Sequence, residues 1–243
     1  MTNFFGVSHL LIQLTITFFT LGMGLGHLLI GPILDSVGRR KPIFLGLLLQ
    51  MAMVFVIVHA DSVVTLNAAR FLQGLSVACM MVPVRAMLAD CFEGLILKRH
   101  LLYITASYAI GLIIAPFIGG YLQYTFGWQS NFIFILIFLI ILFVIFMTAV
   151  PETLTSKNQL SISKVQRSYS YVFKYPFFMI NVFLASSFLA YSSIFSVVGP
   201  FFIQDAMGFS AVIYGYIALL TGVCWFIGNI VSRYLEHIVW KKS

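Results

Sequence analysis

Apolar residues run along this chain in long blocks, and polar residues are confined to the gaps between them. The blocks fall at Ser8–Ile30, Pro42–His59, Val63–Ala89, Leu101–Tyr121, Asn131–Val150, Phe177–Ile203 and Ala211–Val231. Each approaches or exceeds the ~20 residues an α-helix needs to cross about 30 Å of hydrocarbon. A backbone in lipid finds no hydrogen-bond partners outside itself, so the blocks predict helices. The alternating pattern of a membrane barrel is absent. The pattern therefore predicts an all-α integral membrane protein, a helical bundle of about seven transmembrane helices.

The gaps give the organisation. The longest, at 151–176, is rich in Ser, Thr and cations, and it separates five spans in 1–150 from two in 177–243. The other gaps are short, which makes consecutive helices antiparallel neighbours.

Composition supports lipid as the main solvent. The chain is 61% hydrophobic and 9% charged, against roughly 25% charged in a soluble domain. A net charge of +7 would suit nucleic acid, but the positions of the cations exclude that partner. Arg39, Arg40, Lys41, Lys98, Arg99, Lys157, Lys164, Arg167, Lys174, Arg233, Lys241 and Lys242 occupy alternate gaps or the C-terminal end. The gaps His59–Ser62, Tyr124–Asn131 and Gln204–Ser210 carry no Lys or Arg. That asymmetry places the basic gaps and the C-terminus in the cytoplasm, with the N-terminus outside a multi-pass inner (plasma) membrane protein.

Enzyme chemistry and cofactors are not expected. Cys79 and Cys224 fall inside spans and Cys91 at an edge, so no disulfide framework is implied. The five histidines lack metal-ligand spacing, and no nucleophile–base pair is visible.

Several residues stand out on physical grounds. Asp35 lies near the C-terminus of the first span, where the helix dipole disfavours a carboxylate by about 0.3–1 kcal/mol. Arg39, Arg40 and Lys41 are in reach to offset this, and Asp90, at the end of the third span, is placed to share Arg39. The plainer alternative is a solvated loop that only sets orientation. Arg70 lies about seven residues inside its span, roughly 10 Å deep at 1.5 Å per residue. A guanidinium there needs a cavity or a partner, unless it snorkels to the interface. Gln73 and Gly74 share its face. Ser107, Gly111, Ala115 and Gly119 recur every four residues, so small side chains line one face and permit close helix approach. Pro116 adds a hinge there, and Gly22 and Gly26 offer a similar groove in the first span.

These residues also carry a resemblance. Gly31-Pro-Ile-Leu-Asp35-Ser-Val-Gly38-Arg39-Arg40-Lys41 resembles the G-x-L-x-D-R-x-G-R-[RK] loop between helices two and three of major facilitator superfamily transporters. Gly31, Asp35, Gly38, Arg39 and Arg40 match, and Ser36 stands where a basic residue is usual. Arg70-Phe-Leu-Gln73-Gly74 resembles the fourth-helix pattern R-x-x-Q-G. Gly111-Leu-Ile-Ile-Ala115-Pro116-Phe-Ile-Gly119-Gly120 is similar to the fifth-helix antiporter pattern, with Ala115 where Gly is more usual. Gly127-Trp128-Gln-Ser-Asn-Phe132 and Pro151-Glu152-Thr153-Leu154 are similar to the entry and cytoplasmic exit of the sixth helix. Together they resemble the drug:proton antiporter branch, most of all its bicyclomycin/chloramphenicol-resistance type.

The resemblance implies secondary active transport: proton-coupled efflux of drugs or other small molecules by alternating access. Small-molecule substrates, protons and the lipid bilayer are then the partners. Gly31, Asp35, Gly38, Arg39, Arg40 and Asp90 would form a conformational latch, and Arg70, Gln73 and Gly74 would line the path. Ser107, Gly111, Ala115, Pro116, Gly119 and Gly120 would form a sliding helix interface. In this register the seven blocks look like helices two to eight of twelve, so the chain is expected to be incomplete. Another chain would supply the missing helices. No Asp or Glu lies deep in a span, whereas in such antiporters the first helix usually carries the proton-accepting carboxylate. Two other readings stay open: a non-transporting remnant, and a seven-helix receptor with an outside N-terminus.

Overall fold

The computed structural model describes residues 2–154 and 162–209, with residues 213, 216, 217, 219–224, 226–228, 230 and 231 beyond them. Among these residues the regular structure is helical. The elements are α1 (Thr2–Phe5), α2 (His9–Val37), α3 (Arg40–Val58), α4 (Val63–Cys91), α5 (Gly94–Phe126), α6 (Gln129–Ala149), α7 (Ile162–Phe173) and α8 (Pro176–Phe201). A single π turn, Phe202–Ala206, follows α8. Among the described residues four segments, against the seven expected, are long and apolar enough to cross a membrane: Leu10–Val37, Arg40–Val58, Val63–Cys91 and Gln129–Ala149. In the seventh sequence block, Ala211–Val231, the described residues are helical, while Arg233, Lys241 and Lys242 lie outside the described residues.

Helices extend further into the basic gaps than the hydropathy pattern predicts. The stretch Gly31–Lys41 is not one loop. Gly31, Pro32 and Asp35 belong to α2, and Arg40 and Lys41 open α3, so only Gly38 and Arg39 lie between the helices. Gly38 adopts φ 102°, a region that L side chains avoid, and its N–H closes the last turn on the Leu34 carbonyl at 3.1 Å. Polar residues satisfy their helical backbone as readily as apolar ones, so a helix need not stop where hydropathy does. The gap at 91–100 is likewise mostly the first turns of α5. The gap at 151–176 contains α7, a short amphipathic helix that the hydropathy pattern does not reveal.

α4 is the centre of the packing, with α2 against one side and α3 against another, and α6 packs on α3. Lipid tails are as apolar as leucine, so helices in a membrane associate through close contact rather than through burial from water. The glycines permit that contact. A Cβ on Gly22 would collide with the Phe71 carbonyl oxygen, and one on Gly74 with the Phe19 carbonyl oxygen. A Cβ on Gly26 would lie 2.7 Å from the Ala78 Cβ. On the α3 side, Gly46 leaves room for Cys79, Met80 and the Ser76 carbonyl, each within 3.0 Å of where its Cβ would be. Ile43, Leu47, Val54 and Ile57 of α3 then pack with Leu66 and Ala69 of α4 and with Phe132, Leu139 and Phe146 of α6.

Candidate functional site

The C-terminal ends of α2, α4 and α6 and the start of α3 meet at Arg39. Its backbone sits at the α2–α3 turn, which aims the side chain across the end of the bundle. Arg39 Nη1 donates to Asp35 Oδ1 at 2.9 Å, and Nε donates to Asp90 Oδ2 at 3.0 Å. One guanidinium thus joins the last turn of α2 to the last turn of α4, as a planar fork with several donors can. Arg39 is buried, the Asp35 side chain is 60% exposed, and that of Asp90 is 23% exposed. Burial works against the guanidinium charge, but hydrogen bonds and attraction from Asp90 and Asp35 outweigh it. The net direction is upward, and Arg39 stays cationic.

In the sequence Glu152 stands out only as part of Pro151-Glu152-Thr153-Leu154, and the structure brings it into this cluster. Its carboxylate sits on the N-terminus of α3, accepting from the Arg39 N–H at 2.9 Å and the Arg40 N–H at 3.1 Å. The N–H groups of Thr153 and Leu154 also reach it, at 3.1 and 3.2 Å. An anion at that position satisfies backbone donors that a helix start leaves unpaired, and it faces the positive end of the dipole. Burial tends to raise the Glu152 pKa, but the backbone donors prevail and hold it below the ordinary glutamate value. Gly38 must be glycine for a second reason here, because a Cβ would press on the Glu152 carboxylate. Thr153 Oγ1 donates to Asp90 Oδ2 at 3.0 Å, and Arg40 Nη2 to the Met147 carbonyl of α6 at 3.0 Å. Gly31 has open space where its Cβ would be and makes no close backbone contact.

A second polar group is buried within the bundle. Arg70 Nη1 donates to Gln73 Oε1 at 3.0 Å. The Arg70 guanidinium carbon lies 4.7 Å from the Phe132 ring centroid and 5.9 Å from that of Phe19, so aromatic faces take the place of water. The Ser76 hydroxyl lies between the Gln73 carbonyl oxygen, 2.6 Å away, and the Gln50 side-chain oxygen. Gln73, Ser76 and Gln50 are all buried, forming a polar ladder from α4 into α3. Arg70 Nε and Asn67 Oδ1 are buried without a hydrogen-bond partner among the described residues. Asn67, Ser76 and Gln50 were not singled out from sequence, although a polar residue every three or four positions along α4 was a usable signal. Gly74, one turn from Arg70, packs directly against the α2 backbone at Phe19 and Met23.

The small-residue face of α5 is less enclosed. Ser107, Gly111, Ala115 and Gly120 are exposed, and the space beside Gly111 and Gly120 is open. A Cβ on Gly119 would come within 3.3 Å of Asn131 Oδ1. The Pro116 side chain lies outside the described residues.

Known proteins resemble the chain along most or all of its length. The chain is 28% identical, over its whole length, to an uncharacterized transporter of Rickettsia felis, of which it covers 60%. It is 28% identical over 238 residues to the uncharacterized MFS-type transporter YdgK of Bacillus subtilis, 96% of this chain and 59% of that protein. It is 32% identical over 149 residues to a bicyclomycin resistance protein homolog of Haemophilus influenzae, 61% of this chain and 37% of that protein. The chain thus spans about 60% of the length of the first two relatives. The family model described as Major Facilitator Superfamily matches residues 1–242, and the chain belongs to that superfamily.

Proposed function

We propose that this chain provides most of one helix bundle, and the start of a second, of a proton-coupled transporter that exports drugs or other small molecules. The observation that carries the reading is the Arg39 junction, in which one arginine in a matched superfamily motif ties α2 to α4 while Glu152 ties the exit of α6 to α3. The junction sets the end of one bundle and leaves the Asp35 side chain mostly exposed there, where the second bundle would engage and release it at moderate cost. A hydrophobic seal would not separate as readily. In this reading residues 1–150 form five spans of the first bundle, 151–176 link the bundles, and 177–243 begin the second. They correspond to helices two to eight. Asp35, Arg39, Arg40 and Asp90, with Gly31 and Gly38, latch the cytoplasmic end. Arg70 and Gln73 line the path, and Arg70 Nε and Asn67 Oδ1 offer it an unused donor and acceptor. The α5 face from Ser107 to Gly120 is the surface on which the second bundle slides. The N-terminus is outside, the C-terminus is cytoplasmic, and the transporter is of the bicyclomycin/chloramphenicol-resistance type, exporting across the inner (plasma) membrane.

The test is export of a fluorescent drug from an efflux-deficient bacterium. The chain is expressed alone, and also together with a first helix and four C-terminal helices from a related transporter. Alternating access needs two bundles, so the chain alone is expected to export little. The complemented form is expected to export until a protonophore is added, and Arg70→Ala should stop it. A complemented form that reaches the membrane without exporting would sink the proposal. Export that ignores the protonophore would overturn the coupling.

A further inference from the structure

Pro32 lies inside α2 and has no N–H, so the Leu28 carbonyl loses the donor that residue 32 would give it in a regular helix. In lipid such a carbonyl must find another partner. It finds one 141 residues away, where the Tyr169 hydroxyl donates to the Leu28 oxygen at 2.7 Å. Tyr169 belongs to α7. Val165, Tyr169 and Val172, one face of that helix, are partly buried, whereas Arg167, Ser170 and Tyr171 on the other are exposed. Backbone hydrogen bonds flank the joint from α7 to α8 on both sides. Lys174 N–H reaches the Ser170 and Tyr171 carbonyls at 3.3 and 3.2 Å, Tyr175 N–H the Val172 carbonyl at 3.1 Å, and Met179 N–H the Tyr175 carbonyl at 3.2 Å. On the other side, Pro32 precedes Asp35 by less than one helical turn.

We propose that Tyr169 is the docking residue of an intramolecular interface, fastening the linker helix α7 to the carbonyl that Pro32 frees and so tethering α8 to the helix that carries Asp35. The inference goes beyond the transport reading and does not depend on it. Geometry assigns the tether to one hydroxyl. The Tyr169 ring alone would give an ordinary apolar contact, insensitive to loss of the oxygen.

The experiment is limited trypsin digestion of the full chain in lipid nanodiscs, following cleavage after Arg167 and Lys174. Tyr169→Phe keeps the ring and removes the donor. Cleavage that tracks the open population should then rise roughly fivefold, the effect of losing about one ordinary hydrogen bond. Tyr171→Phe, on the exposed face, should leave the rate unchanged. Pro32→Ala restores an N–H to Leu28, and in that background the increment from Tyr169→Phe should shrink below roughly twofold. A wild-type rate in Tyr169→Phe, an equal effect from Tyr171→Phe, or an undiminished increment with Pro32→Ala would each overturn the tether. If Pro32→Ala does not accumulate, spin labels at Ser36 and Ser170 decide the matter. A broader distance distribution in Tyr169→Phe supports the tether, and an unchanged one refutes it.

Discussion

Gly74 of α4 lies so close to the backbone of α2 that any Cβ would strike the carbonyl oxygen of Phe19. Gly22 of α2 answers with the same relation to Phe71. The crossing of these two helices is therefore set by two missing side chains. Gly74→Ala or Gly22→Ala must push the backbones apart, and overpacking of this kind costs about 1–3 kcal/mol. Gly111→Ala, with open space around it, is expected to be tolerated. The check is the yield and melting midpoint of each variant in detergent. Equal tolerance at all three positions would show that the crossing is not held by close contact.

The Arg39 junction predicts an asymmetry between its acids. Asp90→Asn should destabilise more than Asp35→Asn, because Asp90 is the less exposed partner and also receives Thr153. Charged hydrogen bonds are worth ~1.5–3 kcal/mol, while pairs in water are worth about 1 kcal/mol or less. Arg39→Lys should resemble loss of one acid, since an ammonium cannot reproduce the fork. Thermal unfolding of the three variants checks the order.

Glu152 predicts a pH dependence. Its folded pKa lies below the ordinary value of 4.5, so the stabilisation it gives is complete above that pH. It is lost as pH falls through the depressed folded value. Melting midpoints measured from pH 7 downward should fall more steeply in the wild type than in Glu152→Gln, which has no proton to gain. Parallel curves would remove Glu152 from the junction.

Topology is open to a direct test. Lys and Arg occupy alternate gaps, so a reporter inserted after Asp61 is expected outside, and one fused after Ser243 in the cytoplasm. Opposite labelling at both positions would invert the proposed orientation and move the Arg39 junction to the outer face.

What the sequence determined by itself was the membrane class, the helical content and the candidate residues. Block length and the cost of an unpaired backbone in lipid leave few alternatives, and Asp35, Arg39, Asp90, Arg70 and Gln73 each stood out as charge or polarity where either is costly. The sharing of Arg39 by Asp35 and Asp90 was legible in the sequence, and the tertiary structure realises it. Only the tertiary structure brought Glu152, more than 100 residues from Arg39, to the same junction, through helix ends that hydropathy cannot align. It also moved the emphasis among the small residues. Gly22, Gly26 and Gly74 are in close contact, while Gly111 faces open space. Spacing shows that small residues share a helix face, but which face meets a neighbour depends on helix rotation, and that is fixed by all the contacts together. The pairing of Pro32 with Tyr169 was beyond the sequence for the same reason. A proline announces that a carbonyl is free, but says nothing about which distant hydroxyl will come to it.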